Sequence, residues 1–318
     1  MTSKFYTVLI FFYCFGIVGF SQQLPQYSQY MFNKIAYNPG VTGTTNGICV
    51  GGLIRQQWVG FKETNAAGNS FNVAPETYVF TINAPVKALR GGLGGTIIQD
   101  KIGHQDDISV NLTYGYQTML GAGDLGIGLQ LSIINKSLNF SNLEAPDGKG
   151  SDPVLQSEAE ESDMYFDGGV GFYYSVPDNY YLGLSVLQLR EAKKNDGTRM
   201  RLKRQINVIG GYEFTLPNTP SIDILPSVML KTDGTSAQYD FSALLRFNNK
   251  IWGGLTYRLQ DAAAIILGIQ FKELSIGYSY DIPTSAIGSF GSHEVRVNYC
   301  FKVEIDKYKQ SYRNTRFL

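Results

Sequence analysis

Histidine, the most frequent catalytic base in proteins, occurs only twice in this chain of 318 residues. His293 stands between Ser292 and Glu294, and these are the three residue types that a membrane-embedded hydrolase would use. The segment around His293 alternates like a β-strand, however, and adjacent residues of a strand point to opposite faces. His293 and Glu294 therefore cannot share one site, and the pattern favours a strand end over a hydrolase.

Motifs for cofactors are also missing from the sequence. His104 precedes two aspartates, but the spacing fits no zinc site, and there is no Walker loop or dinucleotide fingerprint. Lys and Arg together number 27, as do Asp and Glu, and this zero net charge argues against a general nucleic-acid binder. We therefore predict a protein that is not an enzyme, has no catalytic residue, holds no metal or cofactor, and does not bind nucleic acid.

Two charged runs are further candidates for binding. The acidic run is Glu158, Glu160, Glu161 and Asp163, with Asp147 and Asp152 upstream. Its oxygens suit Ca²⁺, but its spacing matches no calcium loop, so a solvated loop is favoured. The basic run is Arg190, Lys193, Lys194, Arg199, Arg201, Lys203 and Arg204. It fits either the phosphates of lipopolysaccharide or a solvated loop that faces the acidic run, and the sequence does not choose between them.

The elements that must position these residues are β-strands. Between Leu274 and Asp281 every second residue is apolar or aromatic, and the intervening residues are small or polar. The pattern returns at 295–301 and along nearly the whole chain. Glycine is frequent (35 residues), aromatic residues reach 13% and charged residues only 17%. These features are typical of a transmembrane antiparallel β-barrel, in which the apolar face meets lipid and the polar face lines the lumen.

Turn residues divide the pattern into fourteen strands, an even number, as in bacterial single-chain barrels. The predicted strands are 47–58, 76–84, 92–100, 108–119, 124–135, 164–176, 180–188, 203–214, 222–231, 237–247, 250–259, 262–271, 273–281 and 292–302. Pro226 predicts a bulge or irregularity in its strand. Short connections alternate with long ones, so the short turns are predicted to be periplasmic and the long loops to face outward. An even count then places both termini in the periplasm.

Four regions follow from this division. Residues 1–21 have a positive Lys4, an apolar stretch and small residues before the proposed cleavage after Ser21, so they are predicted to be a cleaved export signal. Residues 22–46 do not alternate and form an aromatic-rich lead-in, with a short helix around 28–35, at the barrel mouth or as a partial plug. Residues 47–302 form the barrel, and residues 303–318 form a basic periplasmic tail.

Several charged residues share the predicted lumen face. They are Arg55, Asp240, Arg246, Arg258, Glu294 and Arg296. Gln57 and Lys302 have the same parity, which means that they occupy the alternate strand positions predicted to face the lumen. Charges in a barrel avoid lipid, and these either pair across the lumen, which we favour, or line a selective pore.

Cys49 and Cys300 fall near the periplasmic ends of the first and last strands, on the polar face. Since these strands must pair to close the barrel, we hypothesise that the two cysteines lie close enough to oxidise.

Specific segments resemble the PorP/SprF family. The lead-in Gln26-Tyr27-Ser28-Gln29-Tyr30-Met31-Phe32-Asn33 and the following Tyr37-Asn38-Pro39-Gly40 carry the resemblance most clearly, through Tyr27, Tyr30, Met31, Phe32, Asn33, Asn38 and Pro39. The stretches 55–58, 75–78 and 291–299 are similar to its first hairpin and last strand. The resemblance implies a non-enzymatic outer-membrane protein of the type IX secretion and gliding machinery of Bacteroidota.

The resemblance also implies partners. They are secretion components and a secreted cargo protein such as a large adhesin, which the protein would help to export or anchor at the surface of the outer membrane, among its lipid and lipopolysaccharide. An alternative that the aromatic lead-in and the lumen arginines support is a channel for hydrophobic or small polar solutes. The sequence names neither the cargo nor whether the role is in the core apparatus or specific to one cargo.

Overall fold

The fold is a closed antiparallel β-barrel with a segment of chain inside it. The computed structural model describes residues 25–64, 68, 70–139, 161–191, 202–217, 219–285 and 290–302. The predicted signal segment and basic tail lie outside these residues, as do Asp147, Asp152, Glu158 and Glu160 of the acidic run and Lys193, Lys194, Arg199 and Arg201 of the basic run. No helix in the described part of the chain is long and apolar enough to cross a membrane.

Fourteen strands form the barrel wall, which confirms the predicted architecture. They are β1 (Gly47–Gln56), β4 (Glu76–Val86), β5 (Gly91–Ile102), β6 (Gln105–Leu120), β7 (Gly123–Leu138), β8 (Glu161–Val176), β9 (Tyr180–Leu187), β10 (Gln205–Tyr212), β12 (Thr219–Thr232), β13 (Ala237–Phe247), β14 (Ile251–Arg258), β15 (Ala262–Phe271), β16 (Leu274–Pro283) and β17 (Ser292–Lys302). Three short strands accompany them: β2 (Lys62–Thr64), β3 (Ser70–Asn72) and β11 (Phe214–Leu216). The 3₁₀ turns are η1 (Tyr30–Phe32), η2 (Lys34–Ala36), η3 (Pro39–Val41) and η4 (Lys87–Leu89).

Each wall strand pairs antiparallel with its neighbours, and the last strand returns to the first. β17 pairs with β1 over the whole length of β1, from Gly47 opposite Lys302 to Gln56 opposite His293. Pairing between β10 and β12 completes the circle on the far side. Because the barrel is closed, its wall has no free sheet edge. A sheet can span a membrane only in this form, since unpaired backbone N–H and C=O groups at an edge would find no hydrogen-bond partner in lipid.

Side chains alternate across the wall as the sequence pattern requires. In β16, Ser275 and Ser279 are buried toward the lumen, while Ile276 and Tyr278 are each 40% exposed on the outside. The same outward exposure of large apolar side chains recurs in all the long strands. The apolar outer face is stabilised only when lipid covers it, so the exposed band marks the membrane-spanning part.

The two ends of the barrel differ in the length of their connections. Residues 121–122, 177–179 and 272–273 make tight turns at the end we name periplasmic, and the strand ends that flank the long connections lie at the other, outer end. Between the predicted strands 76–84 and 92–100, β4 continues to Val86 and η4 makes the turn, with Arg90 left-handed at φ 50°. At the predicted irregularity, pairing stops at Gly211 opposite Ser227 and resumes at Phe214 opposite Ile224, so the gap contains Pro226.

The lead-in from Pro25 to Asn46 lies inside the barrel rather than beside it. Three consecutive 3₁₀ turns, η1 to η3, replace the short helix that the sequence suggested for 28–35. Tighter turns let successive aromatic side chains reach different walls of the lumen, which one α-helical face would not allow. The buried apolar core is the contact between the lead-in and the inner wall: Tyr27, Tyr30, Met31 and Tyr37 with Leu53, Val79, Ile98, Ile209, Met229, Leu244, Trp252 and Ile266.

Candidate functional site: the occupied lumen

The outer half of the lumen holds the start of the lead-in through one carboxylate. Glu294 on β17 is fully buried and accepts hydrogen bonds from the backbone N–H groups of Ser28 (2.8 Å) and Gln29 (2.9 Å). It also accepts one from Arg55 Nη1 at 3.2 Å. Backbone N–H groups away from water need an acceptor, and a charged acceptor makes the stronger bond. Glu294 therefore fixes two consecutive residues of the lead-in against the wall.

Two arginines and two further carboxylates extend this contact into a buried network. Arg55 binds Asp281 at 2.7 Å and donates to Ser28 Oγ at 2.9 Å, and Ser28 donates to Asp281 at 2.6 Å. Arg258 lies 3.4 Å from Asp240 and 3.8 Å from Asp281. These four charged side chains are at most 2% exposed. Buried ion pairs add little net stability, but losing one partner leaves an uncompensated charge.

Below this network the lead-in contacts the wall through its aromatic side chains. Tyr30 Oη lies 3.2 Å from Ser227 Oγ on β12. The ring of Phe32 packs against Trp252 with centroids 5.3 Å apart, and the guanidinium of Arg296 lies 4.7 Å from the Phe32 centroid. Arg296 thus binds a ring of the lead-in instead of facing an open lumen.

Lys34 continues the contact toward the periplasmic end. Its ammonium lies 3.5 Å from the centroid of Tyr181 and donates to Tyr173 Oη at 3.1 Å. Both tyrosines belong to the periplasmic halves of their strands, β9 and β8. A cation held over an aromatic face and away from bulk water is a favourable pairing.

In the periplasmic half of the lumen, hydrogen bonds from both side chains and backbone hold the lead-in. Asn38 Nδ2 donates to the carbonyl of Phe172 at 2.9 Å, and Gly40 N–H donates to Asn38 Oδ1 at 2.8 Å. Thr42 donates to Thr113 at 2.8 Å, and Gly43 N–H donates to Asn83 at 2.7 Å. The family motif Asn38-Pro39 is therefore the point at which the chain turns along the wall toward β1.

The lead-in runs from the outer half of the lumen toward the periplasmic end. β1 does begin at the periplasmic end, but Pro25 lies beside Asp107 and Lys136, near the outer ends of β6 and β7. The sequence predicted that both termini lie in the periplasm; the termini themselves lie outside the described residues, and the described chain begins in the outer half of the lumen. The lead-in runs through the lumen from the outer half downward, a path that no strand count could show.

Glycines of β7 allow the lead-in to lie directly on the wall. A Cβ at Gly128 would overlap backbone atoms of Pro39 and Gly40. Replacing Gly128 with alanine is therefore expected to lower the free energy of unfolding by about 2–3 kcal/mol, an overpacking cost in a site bounded by backbone. Guanidinium chloride titration of the protein in detergent measures this. Gly52→Ala is the matched control, because its Cβ would have nothing nearer than 3.9 Å; equal losses in both variants would contradict the close contact.

A small cavity remains beside the lead-in in the outer half. It measures about 60 Å³ and is bounded by Pro25 and Ala36 of the lead-in and by inner-wall residues of β5 to β7, including Asp100, Asp107 and Lys136. Lys136 donates to Asp107 at 2.5 Å. A cavity of this size holds a few water molecules and no folded polypeptide.

The other predicted residues take separate places. Arg246 binds Asp223 at 2.9 Å and also contacts Glu213 at the periplasmic end, away from the outer network. Lys302 is 84% exposed at the rim and binds Glu273 at 2.8 Å. His293 lies among outward aromatic rings, with Nδ1 2.7 Å from Tyr278 Oη, and His104 lies 3.6 Å from Glu63 in the β2–β3 hairpin.

Sequence reasoning missed Asp281, Ser28, Gln29 and Lys34. Asp281 occupies the same alternate positions of β16 as the inward Ser275, Gly277 and Ser279, and that signal could have placed it on the lumen face. The roles of Ser28 and Gln29 depend on long-range contacts with Glu294, 266 and 265 residues away, which no local pattern contains.

The two cysteines lie directly opposite each other where the barrel closes. Cys49 of β1 pairs in register with Cys300 of β17, and their Cα atoms are 4.0 Å apart and joined through a disulfide. The hypothesis that they lie close enough to oxidise required a Cα separation below about 7 Å. The bond links the first wall strand to the last.

Residues of the basic run that the structure describes bind neighbouring groups of the same chain. Lys203 Nζ lies 3.2 Å from Asp233 in the outer turn between β12 and β13, and Arg204 donates to the carbonyl of Leu189 at 3.1 Å. Burial alone would raise the pKa of the Asp233 carboxyl. Hydrogen bonds from the backbone of Ser236 and Thr235 and from Lys203 outweigh burial and hold that pKa below its usual value.

The family of the chain follows from comparison with known proteins. Residues 19–299 match the family described as type IX secretion system membrane protein PorP/SprF. The chain belongs to this family. The match covers the lead-in together with the wall that surrounds it, so the resemblance predicted from residues 26–40 is confirmed.

Solved structures similar to this PorP/SprF member share the fold. The Pseudomonas putida toluene transporter TodX superposes with a TM-score of 0.51 at 10% identity, covering 85% of this chain and 93% of the transporter. The Ralstonia pickettii toluene transporter TbuX gives 0.50 at 11% identity, covering 84% and 93%. No significant match was found among curated proteins. At these identities the likeness establishes an outer-membrane β-barrel fold and nothing further.

Proposed function

We propose that this protein is a non-enzymatic binding component of type IX secretion that helps to export large secreted proteins such as adhesins or to anchor them at the cell surface. One observation carries the proposal: the lumen is filled by the lead-in, which a fully buried charge network holds in place. A secreted polypeptide would have to displace this core to pass through. The barrel therefore serves as a scaffold, and its rims and loops contact the partners.

The outer rim offers a surface for a secreted protein. Trp58 and Phe61 follow β1, and Phe290 precedes β17; their ring centroids lie 6.3 Å (Trp58–Phe61) and 6.0 Å (Phe61–Phe290) apart. Val59 beside them is 46% exposed and Phe290 is 37% exposed. Exposed clustered aromatic residues outside the lipid-facing strands are typical of protein-binding anchors. This outer aromatic group is our candidate contact for the cargo.

A double variant of the outer aromatic group tests the proposal. In a strain without the native gene, Trp58→Ser/Phe290→Ala removes two aromatic side chains and is expected to reduce the adhesin that copurifies from native membranes by about tenfold or more, since the loss of a single aromatic anchor already has an effect of that size. Surface adhesin and gliding should fall with it. Phe247→Ala, a 50% exposed aromatic at the periplasmic end, is the control. Unchanged adhesin display, both in the double variant and after gene deletion, would dismiss the role.

The alternative, a channel for hydrophobic or small polar solutes, is supported by two observations. The similar structures are described as toluene transporters, and a cavity persists beside the lead-in. Planar bilayers separate the two functions. The scaffold predicts no steady conductance for the wild-type protein, and a conducting state for Gly128→Val, whose larger side chain displaces the lead-in at Pro39. A steady wild-type conductance would favour the channel.

A further inference from the structure

The periplasmic rim carries its charges unevenly. Half of the wall, from β14 through β17 and β1 to β5, bears five exposed cations in its turns and strand ends: Lys250, Lys272, Lys302, Lys87 and Arg90. One carboxylate, Glu273, lies among them and binds Lys302 at 2.8 Å. We name these five cations the basic arc.

The other half of the same rim has the opposite sign. Its connections, from the end of β6 to the start of β12, carry Asp124, Asp178 and Glu213 and no lysine or arginine. Arg246 of β13 pairs with Asp223 and Glu213 of this half and is thereby neutralised. One half of the periplasmic rim is therefore positively charged and the other half negatively charged, although the whole chain has no net charge.

Cations of the basic arc adjoin side chains that face lipid. Lys272 follows Phe271, which is 65% exposed, and its ammonium lies 5.7 Å from that ring. Lys302 follows Phe301, which is 53% exposed, and Arg90 follows the exposed Leu89. Aromatic side chains at strand ends mark the boundary between hydrocarbon and headgroups. The cations one residue further on thus lie at the depth of lipid phosphates.

The geometry points to a binding site for anionic phospholipid headgroups: we propose that the basic arc recruits acidic phospholipids, such as phosphatidylglycerol, from the periplasmic leaflet. Neighbouring strands are about 4.8 Å apart, so successive turns on one rim are about 10 Å apart. That spacing is near the Debye length at physiological salt, and the potentials of adjacent cations reinforce one another. A cation beside an anionic membrane surface contributes about 1 kcal/mol of attraction, or roughly fivefold in affinity.

The position of the arc favours lipid over a periplasmic protein. A protein partner would contact the rim from below, whereas these cations flank the outward, lipid-exposed face.

The test uses the full-length protein in nanodiscs that contain equal amounts of phosphatidylglycerol and phosphatidylcholine. The variant Lys87→Gln/Arg90→Asn/Lys250→Gln/Lys272→Asn leaves the Lys302–Glu273 pair intact and places asparagine at the two left-handed positions, where φ is 50° and 54°. Native mass spectrometry counts each lipid retained by the barrel. The wild-type protein should retain phosphatidylglycerol in at least about fivefold preference, and the variant should lose that preference.

A control variant and a folding assay keep the result interpretable. Lys101→Gln removes an exposed cation from the outer half and should leave the lipid preference unchanged. Heat-modifiable migration in SDS gels shows that each variant is folded. Equal retention of both lipids by the wild-type protein would overturn the proposal, as would an unchanged preference in the folded variant. Loss of an acidic periplasmic protein from the variant, with lipid retention unaffected, would also overturn it.

Discussion

Replacing Glu294 with alanine is expected to lower the free energy of unfolding by about 3–5 kcal/mol. The substitution leaves the backbone N–H groups of Ser28 and Gln29 without their acceptor and removes one partner from the fully buried Arg55. Each of these groups is shielded from water, so solvent cannot replace the lost contact. Guanidinium chloride unfolding of the protein in detergent measures the loss as a lower midpoint.

Two further variants test whether the loss of stability is specific to the buried Glu294 or follows from removing any carboxylate. Glu273→Ala removes a rim carboxylate whose partner, Lys302, is 84% exposed, and should leave the unfolding midpoint close to that of the wild-type protein. Glu294→Gln keeps one acceptor and should fall between wild type and Glu294→Ala. A Glu294→Ala protein that unfolds at the wild-type midpoint would show that the lead-in does not depend on this network.

Removing either cysteine of the closing strands is expected to have an effect of similar size. The disulfide between Cys49 and Cys300 closes a loop with a sequence separation of 251 residues, almost the entire barrel. In the chain-entropy account, a cross-link over so long a loop contributes about 5 kcal/mol by restricting the unfolded chain. Cys49→Ser and Cys300→Ser should each lower the free energy of unfolding by up to that amount, measured by the same titration under non-reducing conditions.

The reduced protein provides the internal control. The double variant should equal each single variant, since either substitution removes the whole bond. A reductant should bring the wild-type midpoint to that of the variants and should not shift the variants further. If reductant leaves the wild-type midpoint unchanged, then the bond either does not form or contributes nothing to stability.

The fourteen strands could be predicted from the sequence because lipid imposes a simple rule. Every outward side chain must be apolar along the membrane-spanning band, so Leu274, Ile276 and Tyr278 alternate with Ser275 and Gly277 regardless of which strand lies beside them. Strand ends were predicted less accurately, since β4 extends to Val86 and η4 makes the turn.

The lumen contacts were predicted only in part. Parity placed Arg55, Asp240, Arg258, Glu294 and Arg296 on the inner face, and the structure places them there. Parity says nothing about which inner residues meet, because facing positions depend on register, shear and the path of the lead-in. The Glu294 contact with Ser28 joins residues 266 apart in the sequence. Arg246 is an example: alternation assigns it to the same face as the other arginines, but it pairs with Asp223 at the periplasmic end and not with the outer network.

The sequence by itself determined the barrel, its fourteen strands and its family, because these depend on a local alternation and on the short motif at 26–40. Only the tertiary structure decided what the charged lumen does. Inward arginines fit an open pore as well as a paired network until another segment is seen to occupy the space between them. Here Ser28, Gln29 and Phe32 occupy it, and the lumen becomes the protein's core.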